Sequence, residues 1–216
     1  MNKNMRYALL PVMALLLAGC SSSPSSADYD KMTAEIIKNS FQDRGIAKLD
    51  RLVTDEANLA CSAADVAGKP LDARLSKAIE EANMKTVKWP SNGKFLGDWR
   101  EGEKIAQSGR GLTWTDTATT ANGGNCYNCH QIAKEEISFG NLGPSLYQYG
   151  KLRGVADPAS AAAKPIVDYT WGKLWNSRAY NACSQMPRVG HMGILNEEQI
   201  QHVMALLLDP ASPVNK

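Results

Sequence analysis

Apolar residues recur at helical spacing in several separate stretches of this chain. Over residues 28–43, Met32, Ile36, Ile37 and Phe41 fall on one side of a short amphipathic helix. Leu71, Leu75, Ala78, Ile79 and Ala82 form a second stripe between Pro70 and Asn83, and Pro70 suits the first helical position. Pro90, Gly93 and Gly97 then break the pattern over residues 84–97, which read as a linker. A further helix is predicted from Asp98-Trp99-Arg100-Glu101, which resembles a capping box, with Gly102, Ile105 and Ala106 on one face. Glycine inside a helix costs about 1 kcal/mol against alanine, which close contact with another helix would offset. Gly109 and Gly111 stop this helix. The strongest pattern is the last. Asn196 caps it, Gln199 sits at the third helical position, and Leu195 can staple to Ile200. Ile200, Val203, Met204, Leu207 and Leu208 repeat at helical spacing until Pro210. Alternation at period two is confined to short fragments, so the fold is expected to be mostly α.

The first residues have a different character. Lys3 and Arg6 precede an apolar run from Ala8 to Leu17, too short to span a bilayer and ending in Leu17-Ala18-Gly19-Cys20. Residues 1–19 read as an export signal, and the last four of this run as a lipobox. Cys20 would then carry a diacylglyceryl group and begin the mature chain. Ordinary cleavage near Ala18 is the alternative, but it leaves a reactive thiol in an oxidising compartment. Two or more acyl chains anchor stably where one does not. The serines of residues 20–27 supply a flexible polar tether. Removing the leader removes Lys3 and Arg6, and the net charge of +2 falls to formal neutrality. The balance gives no bias towards nucleic acid, and no basic run or aromatic ladder suggests one.

The chemistry concentrates in Cys126-Tyr127-Asn128-Cys129-His130. C-x-x-C-H is the attachment pattern of a c-type haem. Two thiols three positions apart can each bond a vinyl group of the porphyrin, and the adjacent imidazole becomes the proximal iron ligand. A thioredoxin-like pair would sit beside a βαβ pattern, and none surrounds residues 110–150. A zinc site needs further ligands, and the other cysteines and histidines outside the leader are distant in sequence. Cys61 and Cys183 remain as an even pair in an oxidising compartment, so a disulfide between them is expected. One covalently bound haem c is the expected cofactor.

The occupant of the sixth iron position separates electron transfer from ligand binding, and methionine favours the former. Met204 lies on an apolar helix face, where methionine is usually core filler. His202 points away from that face and is expected to be solvated. Met186 precedes Pro187, which biases it towards extended backbone, so a loop methionine can reach a haem. Met186 is the leading candidate, with Met192 and His191 as rivals. Trp171, Trp175 and Tyr180 either line the pocket or fill the core, and Arg188 pairs with a propionate or faces solvent.

These residues, in this order, resemble the class I cytochrome c family: a helix with Gly102, C-x-x-C-H, Gly143-Pro144-Ser145-Leu146, Met186-Pro187 and an amphipathic C-terminal helix. The resemblance implies that the Pro144 carbonyl accepts the His130 imidazole N–H, fixing the ring. It also implies that the two terminal helices cross near the haem edge. Asn141-Leu142-Gly143-Pro144-Ser145-Leu146 and the block from Ala182 to His191 further resemble SoxX, the family of monohaem subunits in SoxAX sulfur-oxidation complexes. This second resemblance covers roughly residues 95–210. It implies a class I cytochrome c domain there. The helix and linker pattern leaves an N-terminal helical extension over residues 28–94, longer than the resemblance implies, and a C-terminal tail over residues 211–216. The resemblance also implies a periplasmic heterodimer with a SoxA-like cytochrome. That complex couples thiosulfate oxidatively to a cysteine of a SoxYZ-like carrier, as an L-cysteine S-thiosulfotransferase. This chain would relay electrons to an acceptor cytochrome and supply no acid, base or nucleophile. A freestanding lipid-anchored electron carrier is the alternative, and a haem sensor with a displaceable sixth ligand is a third reading.

Overall fold

A computed structural model describes residues 25–216, which contain helices and no β-sheet; a single isolated bridge pairs Arg44 with Ala47. The fold is mostly α, as the periodicity indicates. Cys20 and the leader lie outside the described residues. The chain divides into two units at Asp43 and Arg44.

In the first unit, helix α1 (Ser26–Ser40) begins earlier than the apolar stripe suggests. Ser25 Oγ accepts the Asp28 N–H while Asp28 Oδ2 accepts the Ser25 N–H, a complete capping box. Residues 25–27 are therefore cap and first turn rather than tether. Tyr29, Met32, Ile36 and Phe41 are all exposed.

The second unit holds α2 (Glu56–Val66), α3 (Ala73–Met84), α4 (Trp99–Gln107), α5 (Tyr149–Leu152), α6 (Lys164–Trp175) and α7 (Glu197–Leu208). Helix α3 starts at Ala73, not Pro70, because the Asp72 carboxylate accepts the N–H groups of Arg74 and Leu75. Helix α7 keeps its expected capping box, with Asn196 Oδ1 on Gln199 N at 2.8 Å and Gln199 Oε1 on Asn196 N at 3.1 Å. It is the centre of the unit. Ile200, Met204, Leu206 and Leu208 are wholly buried, and α4, α5 and α6 all pack on it. Met204 is core filler, as read from sequence.

Helix α4 crosses α7 at Gly102. A Cβ there would stand 2.1 Å from the His202 carbonyl oxygen and 3.0 Å from Leu206 Cβ. Two opposing effects decide a Gly102→Ala variant. Helix propensity gains about 1 kcal/mol, while forcing apart packed backbone costs about 1–3 kcal/mol. The obstacle is backbone, which cannot rotate away, so the clash wins. Gly102→Ala is expected to destabilise by up to about 2 kcal/mol, read as a fall in urea midpoint without a change in slope.

Four local expectations need correction. Asp98 caps α4 through Arg100 N, but Glu101 pairs with Lys104 instead of completing a box. The Asp98 N–H donates instead to His202 Nδ1 at 2.8 Å. His202 is consequently half-buried rather than free in solvent; its ring seats against Gly97 and aligns the entry to α4. Residues 84–97 are no loose linker either. Val87 is buried, Phe95 packs on the core, and the Lys88 carbonyl accepts the Trp171 indole N–H at 2.8 Å. Finally, the expected tail is part of the core. Ser212 and Val214 are fully buried, and Asn215 binds the Gly150 N–H and the Leu207 carbonyl.

Candidate functional site

The Cys126–Asn128 segment is one 3-10 turn, entered by Asn125 in the left-handed region (φ 50°), which asparagine tolerates better than most residues. Two bonds hang the turn on the end of α4: Gly124 N–H to Ile105 O at 2.8 Å and Asn125 N–H to Ser108 O at 2.9 Å. Tyr127 points inward, and its hydroxyl meets Glu103 Oε1 of α4 at 3.0 Å. Burial and the Glu103 charge push the Tyr127 hydroxyl well above its ordinary pKa, so it stays a donor. Cys126 and Cys129 are both free thiols. Burial pushes Cys126 up to about 11, which keeps it protonated near neutrality.

His130 closes the turn through its own N–H on Cys126 O at 2.9 Å. Its ring is held from the segment 140–146, which runs beside it. Gly140 N–H donates to Tyr127 O, Gly143 N–H to Cys129 O, and Leu146 N–H to Gln131 O, all within 2.7–2.8 Å. Gly143 lies against the imidazole so closely that a Cβ would approach its atoms to 2.1 Å, and only glycine fits. His130 Nδ1 lies 2.7 Å from the Pro144 carbonyl oxygen. A carbonyl only accepts, so Nδ1 carries a proton, which in the neutral ring leaves Nε2 its lone pair. The arrangement presents two thiols and an oriented imidazole on one short turn. That donor set suits thioether attachment and axial ligation of an iron porphyrin.

Met186 lies in a different segment, after the 3-10 turn Ser177–Ala179. It packs partly buried on the same core as Cys126, and its carbonyl accepts from Ser177 Oγ at 2.6 Å. Met192 is 54 % exposed. His191 is exposed, and burial of part of its ring together with the Arg188 charge holds its pKa below the ordinary value. Cys183, three residues before Met186, is disulfide-bonded to Cys61. The expected pair is thus formed, joining α2 to the Met186 loop.

The aromatic and basic candidates separate cleanly. Trp171 donates to Lys88 O, and Tyr180 packs edge-on to Tyr169. The Trp175 indole N–H is buried without a hydrogen-bond partner among the described residues. A buried donor left unpaired is costly, so it marks a place where an acceptor fits. Arg188 binds Asp55 Oδ2 at 2.8 Å rather than facing solvent. Sequence reasoning missed Asp55 and Arg178, which meet at 2.8 Å although they are 123 residues apart in the chain. Only their positions in the fold reveal them.

No known family's sequence profile matches the chain. An uncharacterized lipoprotein of Aquifex aeolicus (strain VF5) is 37 % identical to it over 134 residues. The match covers 61 % of this chain and 59 % of that relative's length.

Proposed function

We propose that this chain is a monohaem c-type cytochrome, with a class I cytochrome c domain, that relays electrons outside the cytoplasm. The observation that carries the reading is the Cys126–His130 turn, with its free thiols and with His130 Nδ1 held by the Pro144 carbonyl. The residues fit the group. Cys126 and Cys129 would hold the porphyrin edge, and His130 Nε2 the iron. Met186 would supply a second iron ligand, and the Trp175 N–H would donate to an acid group of the cofactor. Haem held in this way supplies a one-electron couple whose potential depends on the axial pair and on burial. The protein's own residues orient the imidazole through the Pro144 carbonyl and pack Cys126 and Met186 against the core.

Within that reading, the blocks around Gly143-Pro144 and Met186-Pro187 support a SoxX-like role: the electron-transfer subunit of a SoxAX-like L-cysteine S-thiosulfotransferase complex. The bond between thiosulfate and the SoxYZ-like carrier cysteine would form on a SoxA-like partner. The two electrons released would leave singly, through a one-electron relay, towards an acceptor cytochrome. The relative's description as a lipoprotein supports a diacylglyceryl group on Cys20 and a membrane-tethered chain; the haem reading adds a periplasmic location. Tethering also suits a second reading, a freestanding carrier that serves another oxidoreductase.

Purification of the full chain from membranes, with intact-mass analysis, tests these points together. Covalent haem and a lipid-modified Cys20 are expected, with a SoxA-like cytochrome co-purifying. Haem without any partner would shift the reading to the freestanding carrier, and absence of haem would end both. For the sixth ligand, Met186→Ala is expected to abolish the sulfur-to-iron charge-transfer band of the oxidised protein. Met192→Ala is expected to leave it intact; the reverse result reassigns the ligand.

A further inference from the structure

We infer that Asp55 is a positioning residue for the loop that carries Met186, and that residues 55–88 form the clamp holding that loop. The inference rests on the reading of Met186 as an iron ligand. Residues 176–188 contain one 3-10 turn and local turn bonds, with no helix or strand to fix them. Helix α6 touches the start of the loop, through Lys173 Nζ on the Ser177 carbonyl and Tyr169 against Tyr180, and the other side-chain attachments come from α2, α3 and the segment that follows. Asn176 Nδ2 donates to Asn83 Oδ1 and Thr86 Oγ1, both at 2.9 Å. The Ala182 N–H donates to Glu80 Oε1 at 3.1 Å, and Cys183 is bonded to Cys61.

Among the described residues, Asp55 grips both ends of the loop. Arg178 Nη1 lies 2.8 Å from both of its carboxylate oxygens, and Arg188 Nη2 lies 2.8 Å from Oδ2. Arg178, eight residues before Met186, is 8 % exposed and also binds Asn58. Between these pins, Ser177 Oγ holds the Met186 carbonyl. One carboxylate therefore bridges two guanidinium groups drawn towards one point and offsets one of their two charges. Without it, two shielded positive charges would repel each other across the loop. Burial tends to raise the Asp55 carboxyl. The Asn58 N–H and the two arginines outweigh it and hold the group below the ordinary carboxylate value.

Asp55→Asn isolates the charge, because asparagine caps a helix about as well as aspartate and α2 keeps its start. Arg188→Gln is the second, milder variant. Both are to be made in the full haem-loaded protein. The readouts are hydrogen exchange over residues 180–188, the sulfur-to-iron band of the oxidised form, and carbon monoxide binding to the reduced form. Exchange and carbon monoxide binding are expected to accelerate about tenfold in Asp55→Asn, with a weakened band, as loss of a charge-assisted contact implies. Arg188→Gln is expected to move each readout in the same direction by less. If the wild type shows the band and both variants match it in all three readouts, the inference is overturned, even where thermal stability falls. A wild type without the band overturns the ligand assignment instead, and the inference with it.

Discussion

Replacing both Cys61 and Cys183 by serine is expected to lower the free energy of unfolding by about 5 kcal/mol, on the chain-entropy model for a loop of this length. The two cysteines are 122 residues apart, so the bond restrains more than half of the chain in the unfolded state. The closing entropy grows only with the logarithm of loop length, yet at this separation it is near the top of its range. The folded state should change little, because Asp55 with its arginines, Glu80 with Ala182 and Asn83 with Asn176 hold the same surfaces together. Domains are commonly stable by only about 5–15 kcal/mol, so the loss would consume a large share. Urea unfolding of the double variant against wild type measures it, and wild type in reductant should reproduce the shift. Each single serine variant should lose nearly as much as the double. A loss below about 1 kcal/mol would mean that the unfolded chain is already compact around this pair.

What could be read in the sequence divides along physical lines. Helix α7 was legible because its cap, stripe and terminating proline agree, and Met204 takes the core position its spacing assigns. The Gly102 crossing was legible as an anomaly: a glycine that costs helix propensity needs a compensating contact, and α7 provides it. Helix α6 escaped notice because Val167, Thr170, Trp171, Gly172, Leu174 and Trp175 are all buried. A helix enclosed on most sides has no polar face to set the period. Helix α2 escaped for the opposite reason. Its apolar residues are mostly alanines, and only Ala57 is buried, so no stripe stands out. At the candidate site, the turn from Cys126 to His130 and the Pro144 carbonyl were legible because they are local patterns with fixed spacing. The Asp55–Arg178–Arg188 cluster was not, since charged residues so far apart look like ordinary solvated surface until the chain folds. His202 misled for the same reason. Its place off the apolar stripe implied solvent, whereas the chain entering α4 covers that face.

Trp171→Ala is expected to cost about 3–5 kcal/mol, the range for removing a buried aromatic and leaving a cavity. Trp171 has no exposed surface. Its ring stands edge-on to Phe95 at 5.6 Å and stacks with Trp175 at 6.0 Å, while its N–H ties Lys88 O to α6. Three terms are lost at once: transfer of the ring, the aromatic contacts and one buried hydrogen bond. Trp171→Phe separates them. Phenylalanine retains much of the ring packing but leaves the Lys88 carbonyl without its donor, which should cost about 1–3 kcal/mol. The difference between the variants then reports the cavity, and the phenylalanine value the hydrogen bond. Denaturant unfolding followed by tryptophan-independent circular dichroism measures both. If the two variants lose equal stability, the hydrogen bond to Lys88 dominates, and residues 84–97 are held by that polar tie more than by the core. If only Trp171→Ala is costly, the ring holds them. The same comparison bears on the cofactor reading. Trp171 is bonded to protein on its polar edge and Trp175 is not, so Trp171→Phe should leave haem content and the sulfur-to-iron band unchanged, whatever it costs in stability.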